Sequence, residues 1–467
     1  IEDLLPMNSN ETPSTSRRQF LKAAGTVAAA SALSGVSIPS VHAAGSEEVH
    51  VAIVGCGGRG SGEVLDAMAT SKQGPIKLTA MADLYSDRLN SSYSGLSKSV
   101  PKQVDVPEER RFLGWDAYRE AMDTLRPGDV VILTTPPAFR WVHFQYAIQK
   151  GLNVFMEKPV TVDGPTSKKM LKLAEEASAK NLKVGVGLMS RHSKPMQELH
   201  QRVQNGELGE ILLMRGYRIH PPAGYFESTP KPEGMTDLDY QIRRFHSFLW
   251  ASGGCFSDFY IHLIDHLSWM KNSWPVSARG VGGRHYKVSP EGVPFVDQNF
   301  DCYTVEYTFA DGTKFFFEGR HQRGTEGLYS SYLHGTKGCA VVSRANDVGT
   351  PSAIYRGQSV DPAKVVWQSK DTSSPYRNEW EALIDAIRNN KPYNEVKRGV
   401  EASVATSMGR MAVHTGQEIT FQEMLNCDHE FAPNVDKLTK NSPAPLMPDA
   451  SGRYPVPQPG LKGKREY

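Results

Sequence analysis

Glu48-Val49-His50-Val51-Ala52-Ile53-Val54-Gly55-Cys56-Gly57-Gly58-Arg59-Gly60 is a β-branched run that stops at a glycine cluster. Gly55, Gly57 and Gly60 take the spacing G-x-G-x-x-G, with Gly58 and Arg59 completing the turn. The first glycine of such a turn bends sharply, the second lets backbone approach a pyrophosphate, and the third lets helix and strand pack closely. A helix-like stretch follows at 62–69, and a second strand, 76–82, ends in Asp83. An acid at that strand end is placed to accept hydrogen bonds from an adenosine ribose and to repel a 2′-phosphate. NAD is therefore expected in preference to NADP, although Arg88 nearby keeps NADP open.

The same rhythm continues outward. Residues 129–135 form a buried-type strand, 139–150 a helix, 152–156 a strand, 163–180 a long helix and 182–187 a further strand, the pattern of a doubly wound parallel sheet. Beyond residue 205 the period changes to two. Alternating segments at 211–220, 276–285, 300–309, 313–321 and 329–334 predict a mainly antiparallel sheet with helices on one side, Ala310-Asp311-Gly312 turning one hairpin. His285 and His321 fall in predicted strands and read as structural, and helices 379–388 and 398–414 read as amphipathic supports. The expected organisation is a signal peptide at 1–44, a Rossmann domain at 47–165, an α+β substrate and oligomerisation domain at 166–430, and a Pro/Gly-rich tail at 431–467. The tail reads as an extended arm or disorder and as a candidate oligomer contact.

Bulk properties narrow the classes. A chain of 467 residues exceeds one ordinary core. Its 53 basic and 51 acidic residues nearly cancel and form no basic stripe, which argues against a nucleic-acid partner. Cys56, Cys255, Cys302, Cys339 and Cys427 are scattered singly, which predicts neither a disulfide framework nor a zinc knuckle. No stretch reaches the apolar length of a spanning helix, so no stable membrane span is expected after signal cleavage.

Residues 253–266, Gly-Gly-Cys-Phe-Ser-Asp-Phe-Tyr-Ile-His-Leu-Ile-Asp-His, carry a polar stripe on an apolar helix. At 3.6 residues per turn Asp258, His262, Asp265, His266 and Trp269 share one face while apolar residues cover the rest. Ionisable groups on a buried helix are costly unless paired or used. The stripe is thus a satisfied polar seam, a catalytic row, or a metal site built on the i, i+4 pair His262 and His266; the last lacks an H-E-x-x-H glutamate, and no metal is expected.

Thr135-Pro136-Pro137, His143, Ala147, Gly151, Val154 and Glu157-Lys158-Pro159 resemble the Gfo/Idh/MocA oxidoreductases at the same point of a Rossmann domain. That resemblance implies an open-faced second sheet, and it implies that Thr135, Pro136, His143, Glu157 and Lys158 border the cofactor, with Lys158 beside the nicotinamide. It also matches Asp258 and His262 to an Asp and a His of the family's catalytic set. On this reading His262 takes the substrate hydroxyl proton, Asp258 orients Lys158 or substrate, and Lys158 stabilises the oxygen electrostatically. Arg191, His246, Asn299 and His266 are the candidates for substrate contact, His246 and Asn299 foremost. Ser16-Arg17-Arg18-Gln19-Phe20-Leu21-Lys22, an Ala-rich run and Val41-His42-Ala43-Ala44 resemble a twin-arginine export signal, which implies the export machinery as a partner and a periplasmic destination. The expected activity is hydride transfer between a tightly held nicotinamide cofactor and a sugar or polyol, by a homo-oligomer. The alternatives are an NAD-dependent glycosidase that oxidises, eliminates, hydrates and reduces in one cycle, and a non-catalytic NAD-binding sensor.

Overall fold

The computed structural model describes residues 47–285, 287–344 and 351–467, so the expected signal peptide lies outside the described residues. Strands β1 (Val49–Val54), β2 (Ile76–Asp83), β3 (Arg111–Leu113), β4 (Val130–Leu133), β5 (Asn153–Met156) and β6 (Val184–Val186) form a parallel sheet in the order β3-β2-β1-β4-β5-β6. Helices cover both faces, which is why β4 and β5 are buried along their whole length, β4 as an unbroken apolar run and β5 as one from Val154 onward. The order reverses between β1 and β4, and a crevice opens beyond their carboxyl ends. Because β6 pairs with β5, the first sheet extends to Val186, past the boundary expected at 165. The connecting helix, Gly164–Ala179, starts where the Asp163 carboxylate accepts from Thr166 N at 2.9 Å.

Among the described residues the second sheet has nine strands. These are β7 (Ile211–His220), β8 (Ser277–Gly283), β9 (Cys302–Thr308), β10 (Lys314–His321), β11 (Leu328–Gly335), β12 (Gly338–Arg344), β13 (Ala353–Arg356), β14 (Val365–Gln368) and β15 (Ile419–Thr420), in the order β14-β13-β12-β11-β7-β10-β9-β8-β15. Only β7 and β10 pair in parallel; the other pairs are antiparallel. Along β9 and β10 the side chains alternate as expected. Tyr303, Val305, Tyr307, Phe315 and Phe317 are buried beneath helices, while Thr304, Phe316 and Glu318 face outward.

Helix Val396–Thr415 joins the two sheets. Gly399 lies against Val186 of β6, and Gly409 packs so closely on Tyr307 of β9 that no side chain would fit. This helix is buried on nearly every side, where an amphipathic support was expected. The polar stripe also differs from one continuous helix. Gly253 and Gly254 both have positive φ, helix Gly254–Phe259 follows, and helix Ile261–Lys271 begins after Tyr260, whose ring is pressed against Gly319. Nor is the tail a free arm: Gln298 Nε2 donates to Pro455 O at 2.7 Å, Tyr454 Oη donates to Asp237 at 2.8 Å, and Glu466 is 3% exposed. Among the described residues no helix is long and apolar enough to cross a membrane.

Candidate active site

A cleft of about 930 Å³ runs from the glycine turn to the polar stripe, near the upper end of the roughly 300–1,000 Å³ usual for cofactor sites. At one end the three glycines do separate work. Gly55 sits at φ 102°, and a Cβ there would lie 2.8 Å from the backbone of Thr134 and Thr135. Gly60 is pressed against Gly55 O and Ile53, whereas a Cβ on Gly57 would meet nothing within 4 Å. Helix Gly58–Met68 starts without a side-chain cap, so its first N–H groups face the cleft end unclaimed by a cap. Asp83, at the end of β2, accepts from Cys56 N at 2.7 Å and Tyr85 N at 2.9 Å; burial raises its carboxyl pKa despite these bonds. A turn open at Gly57, an uncapped helix start and an acid at the β2 end fit a dinucleotide.

Midway along, Thr135 and His143 form a pair, Oγ1 to Nδ1 3.1 Å, and Arg140 Nη2 donates to Thr135 O at 2.9 Å. Burial, then the charges of Arg140 and Arg119, push His143 down to about 3, so the ring is neutral at pH 7. Pro136 lines the same wall. Arg59 bridges the turn to the next strand, its Nε 2.9 Å from Glu157 Oε1 and its Nη2 against Glu63, while Lys158 N donates to Glu157 Oε2 at 3.0 Å.

At the far end, Lys158 Nζ donates to Asp258 O at 2.6 Å and lies 3.8 Å from Asp258 Oδ1. His246 Nε2 is 3.2 Å from Asp258 Oδ2, and its Nδ1 accepts from Tyr225 N at 3.3 Å, which leaves the ring proton on Nε2 pointing at the carboxylate. Burial by itself would raise the Asp258 carboxyl. Lys158 and the hydrogen bond from His246, with His262 nearby, outweigh it and hold the group at about 2. His262 is buried one turn beyond, close enough to act on that carboxylate but not among the residues lining the cleft.

The other substrate candidates lie elsewhere. Arg191 forms a forked pair with Asp265, Nη2 to Oδ1 2.7 Å and Nε to both oxygens 3.1 Å, and His266 Nε2 is 2.9 Å from Ser331 Oγ. Asn299 accepts from Cys255 N at 2.9 Å and donates to Phe226 O at 3.1 Å and His246 O at 2.9 Å, bracing the wall that carries His246. Sequence reasoning passed over Tyr85 and took Arg243, within the run Arg243-Arg244-Phe245-His246, for a possible wall of the substrate pocket; both line the glycine-turn end of the cleft. The Arg243 guanidinium lies 3.7 Å over the Tyr85 ring and 3.2 Å from both Asp87 oxygens, so the segment around helix Asp237–Arg243 crosses the cleft. That run was a visible signal, but nothing local tied it to the far-off end of β2.

The chain matches two models of one family: the oxidoreductase family, NAD-binding Rossmann fold, over residues 49–188, and the GFO/IDH/MocA C-terminal domain over residues 196–341. Together they span more than half of the chain, which belongs to the Gfo/Idh/MocA oxidoreductase family. Residues 14–34 match the twin-arginine translocation signal. Inositol 2-dehydrogenase of Corynebacterium glutamicum is 26% identical over 186 residues, 38% of this chain and 53% of that protein. The chain thus spans about half the length of that curated relative. Among solved structures, myo-inositol 2-dehydrogenase of Lactobacillus plantarum superposes with TM-score 0.58 at 21% identity, covering 80% of this chain and 99% of that one. Levoglucosan dehydrogenase in complex with NADH and levoglucosan gives TM-score 0.60 at 15% identity, with 80% and 100% covered. Identities this low establish the fold.

Proposed function

We propose that this protein is an NAD-linked dehydrogenase of sugars, polyols or related carbohydrates, acting on a CH–OH carbon. The observation that carries the reading is the single cleft that has a phosphate-cradling glycine turn at one end and the Lys158, Asp258 and His246 group at the other. A bound nicotinamide supplies the hydride acceptor or donor. Lys158 offers its remaining N–H bonds to the substrate oxygen, on which negative charge grows as hydride leaves carbon. Asp258, ionised at every working pH, keeps that ammonium oriented, and His246 fixes the carboxylate from the other side. His262 does not line the cleft, so the hydroxyl proton reaches it by way of Asp258, the carboxylate that stands between it and the substrate space. Asp83 favours NAD over NADP at the ribose end.

Export would leave the protein where little free dinucleotide is available to exchange, so the cofactor is held tightly and recycled in place, loaded before a folded chain crosses to the periplasm. The contact of Arg243 with Tyr85 and Asp87 across the cleft supports slow release. The test is to denature protein purified without added nucleotide, identify what is released, and then follow nicotinamide absorbance over a panel of sugars and polyols. A preparation that neither contains nor binds a dinucleotide overturns the proposal.

A further inference from the structure

Residues 284–301 leave the second sheet at the end of β8 and return at the start of β9, where Gly283 and Cys302 are paired. The fold therefore brings His285, Asp301 and Cys302 to the neck of one loop, although their cysteine is isolated in sequence. His285 N donates to Asp301 Oδ2 at 2.7 Å, which aligns the two residues. His285 Nδ1 is 3.1 Å from Asp301 Oδ1 and 3.6 Å from Cys302 Sγ, and the three donor atoms lie within 4.8 Å of one another. Among the described residues this is the one group of three such donors close enough to share an ion.

From these distances we propose that His285, Asp301 and Cys302 form a binding site for a borderline transition-metal dication of the zinc class. With metal–nitrogen and metal–oxygen bonds of about 2.0–2.1 Å and a metal–sulfur bond of about 2.3 Å, a tetrahedral site has N···O edges of about 3.3 Å and N···S edges of about 3.6 Å. The two edges that meet at His285, 3.1 Å to Asp301 and 3.6 Å to Cys302, already match, and the Asp301–Cys302 edge is within 4.8 Å. Imidazole, carboxylate and thiol are the donor set of zinc, unlike the all-oxygen sets that hold calcium or magnesium. Carboxylate and thiolate together neutralise a dication, and the exposed side of His285 leaves the fourth position to water. Around the site, Lys287 lies 3.0 Å from Asp297, Arg284 donates to Asp297 O and Asn299 O, and Arg320 donates to Glu326 O. The metal would close the neck of a loop whose Gln298 and Asn299 bind Leu249 N and His246 O, and so stiffen the wall behind His246. The proposal is independent of the hydride-transfer reading.

Untagged full-length protein, stripped with a chelator and desalted, is titrated with ZnCl₂ and, separately, with CoCl₂. Expected are one zinc ion per chain with a dissociation constant of about 1 μM or tighter, and a thiolate-to-cobalt charge-transfer band. His285→Ala and Cys302→Ser, both at accessible positions, should fold as judged by circular dichroism, weaken zinc binding by more than about 100-fold, and in Cys302→Ser abolish the band. Cys427→Ser should bind like the parent. Absence of a cobalt–thiolate band in the parent, or unchanged zinc affinity in Cys302→Ser, overturns the assignment.

Discussion

Asp258 and Asp265 stand two turns apart on one polar stripe and are both buried, yet they live in different chemical surroundings. Asp265 is 1% exposed at its side chain and gripped by a forked guanidinium on both oxygens. Asp258 is 11% exposed, shares its oxygens between a lysine at 3.8 Å and a histidine at 3.2 Å, and borders the cleft. Burial alone therefore does not separate structure from chemistry. What separates them is whether the partner groups are saturated by each other or still have hydrogen bonds to give to a ligand.

The comparison breaks most visibly at Lys158. Lys158→Ala should lower turnover by roughly 10²–10⁴-fold while the denaturation midpoint and nucleotide content stay near the parent values; a loss below tenfold would remove Lys158 from the chemistry. The two aspartates should then part company. Asp265→Asn leaves Arg191 without its carboxylate and should cost about 3–5 kcal/mol in urea unfolding, with turnover per folded molecule largely kept. Asp258→Asn should do the reverse, and equal effects of both on turnover would erase the distinction.

Acid should expose a third kind of buried group. His143 and His321 are both held near 3, below their ordinary 6.5; burial is the leading cause in each, followed by nearby cationic side chains. Between those values the unfolded chain binds protons that the folded one refuses, so stability falls as pH drops from 6.5 towards 3. Asp258 and Glu466, both lowered to about 2 against ordinary values of 3.8 and 4.5, add a further loss as pH falls from about 4 through 2. Urea midpoints measured against pH should show both slopes, with the upper one shallower in His321→Phe. The smallest effect is expected at the nucleotide end. Arg243 and Asp87 are exposed enough that their pair is worth at most about 1 kcal/mol, so Arg243→Ala should speed dinucleotide release by about tenfold or less. An unchanged release rate would leave the crossing segment without a part in retention.

Much of this contrast was legible before any coordinates. The glycine turn could be read because its demands are local: a positive φ at Gly55, open space at Gly57 and close packing at Gly60 fall within six residues. The stripe was legible as a helical period, but its division was not, since Arg191 meets Asp265 across 74 residues and the break at Tyr260, whose ring packs on Gly319 of a distant strand, carries no local helix breaker. Strand β12 escaped notice because its buried run is short and continuous and shows no alternation. The outward place of His285 was hidden for a similar reason: its strand ends at Gly283, two residues before the alternation suggests.

Glu466 lies between Arg410 and His414, 2.9 Å from Arg410 Nε and 2.7 Å from His414 Nδ1, and the same guanidinium donates to Ser257 Oγ at 2.7 Å beside Asp258. Arg410 is made 56 residues before the carboxylate that neutralises it. Without that carboxylate, the buried guanidinium on which the helix bearing Asp258 rests would keep only neutral acceptors, among them Gly253 O, Ser257 Oγ and Val162 O, and the more distant charge of Asp163.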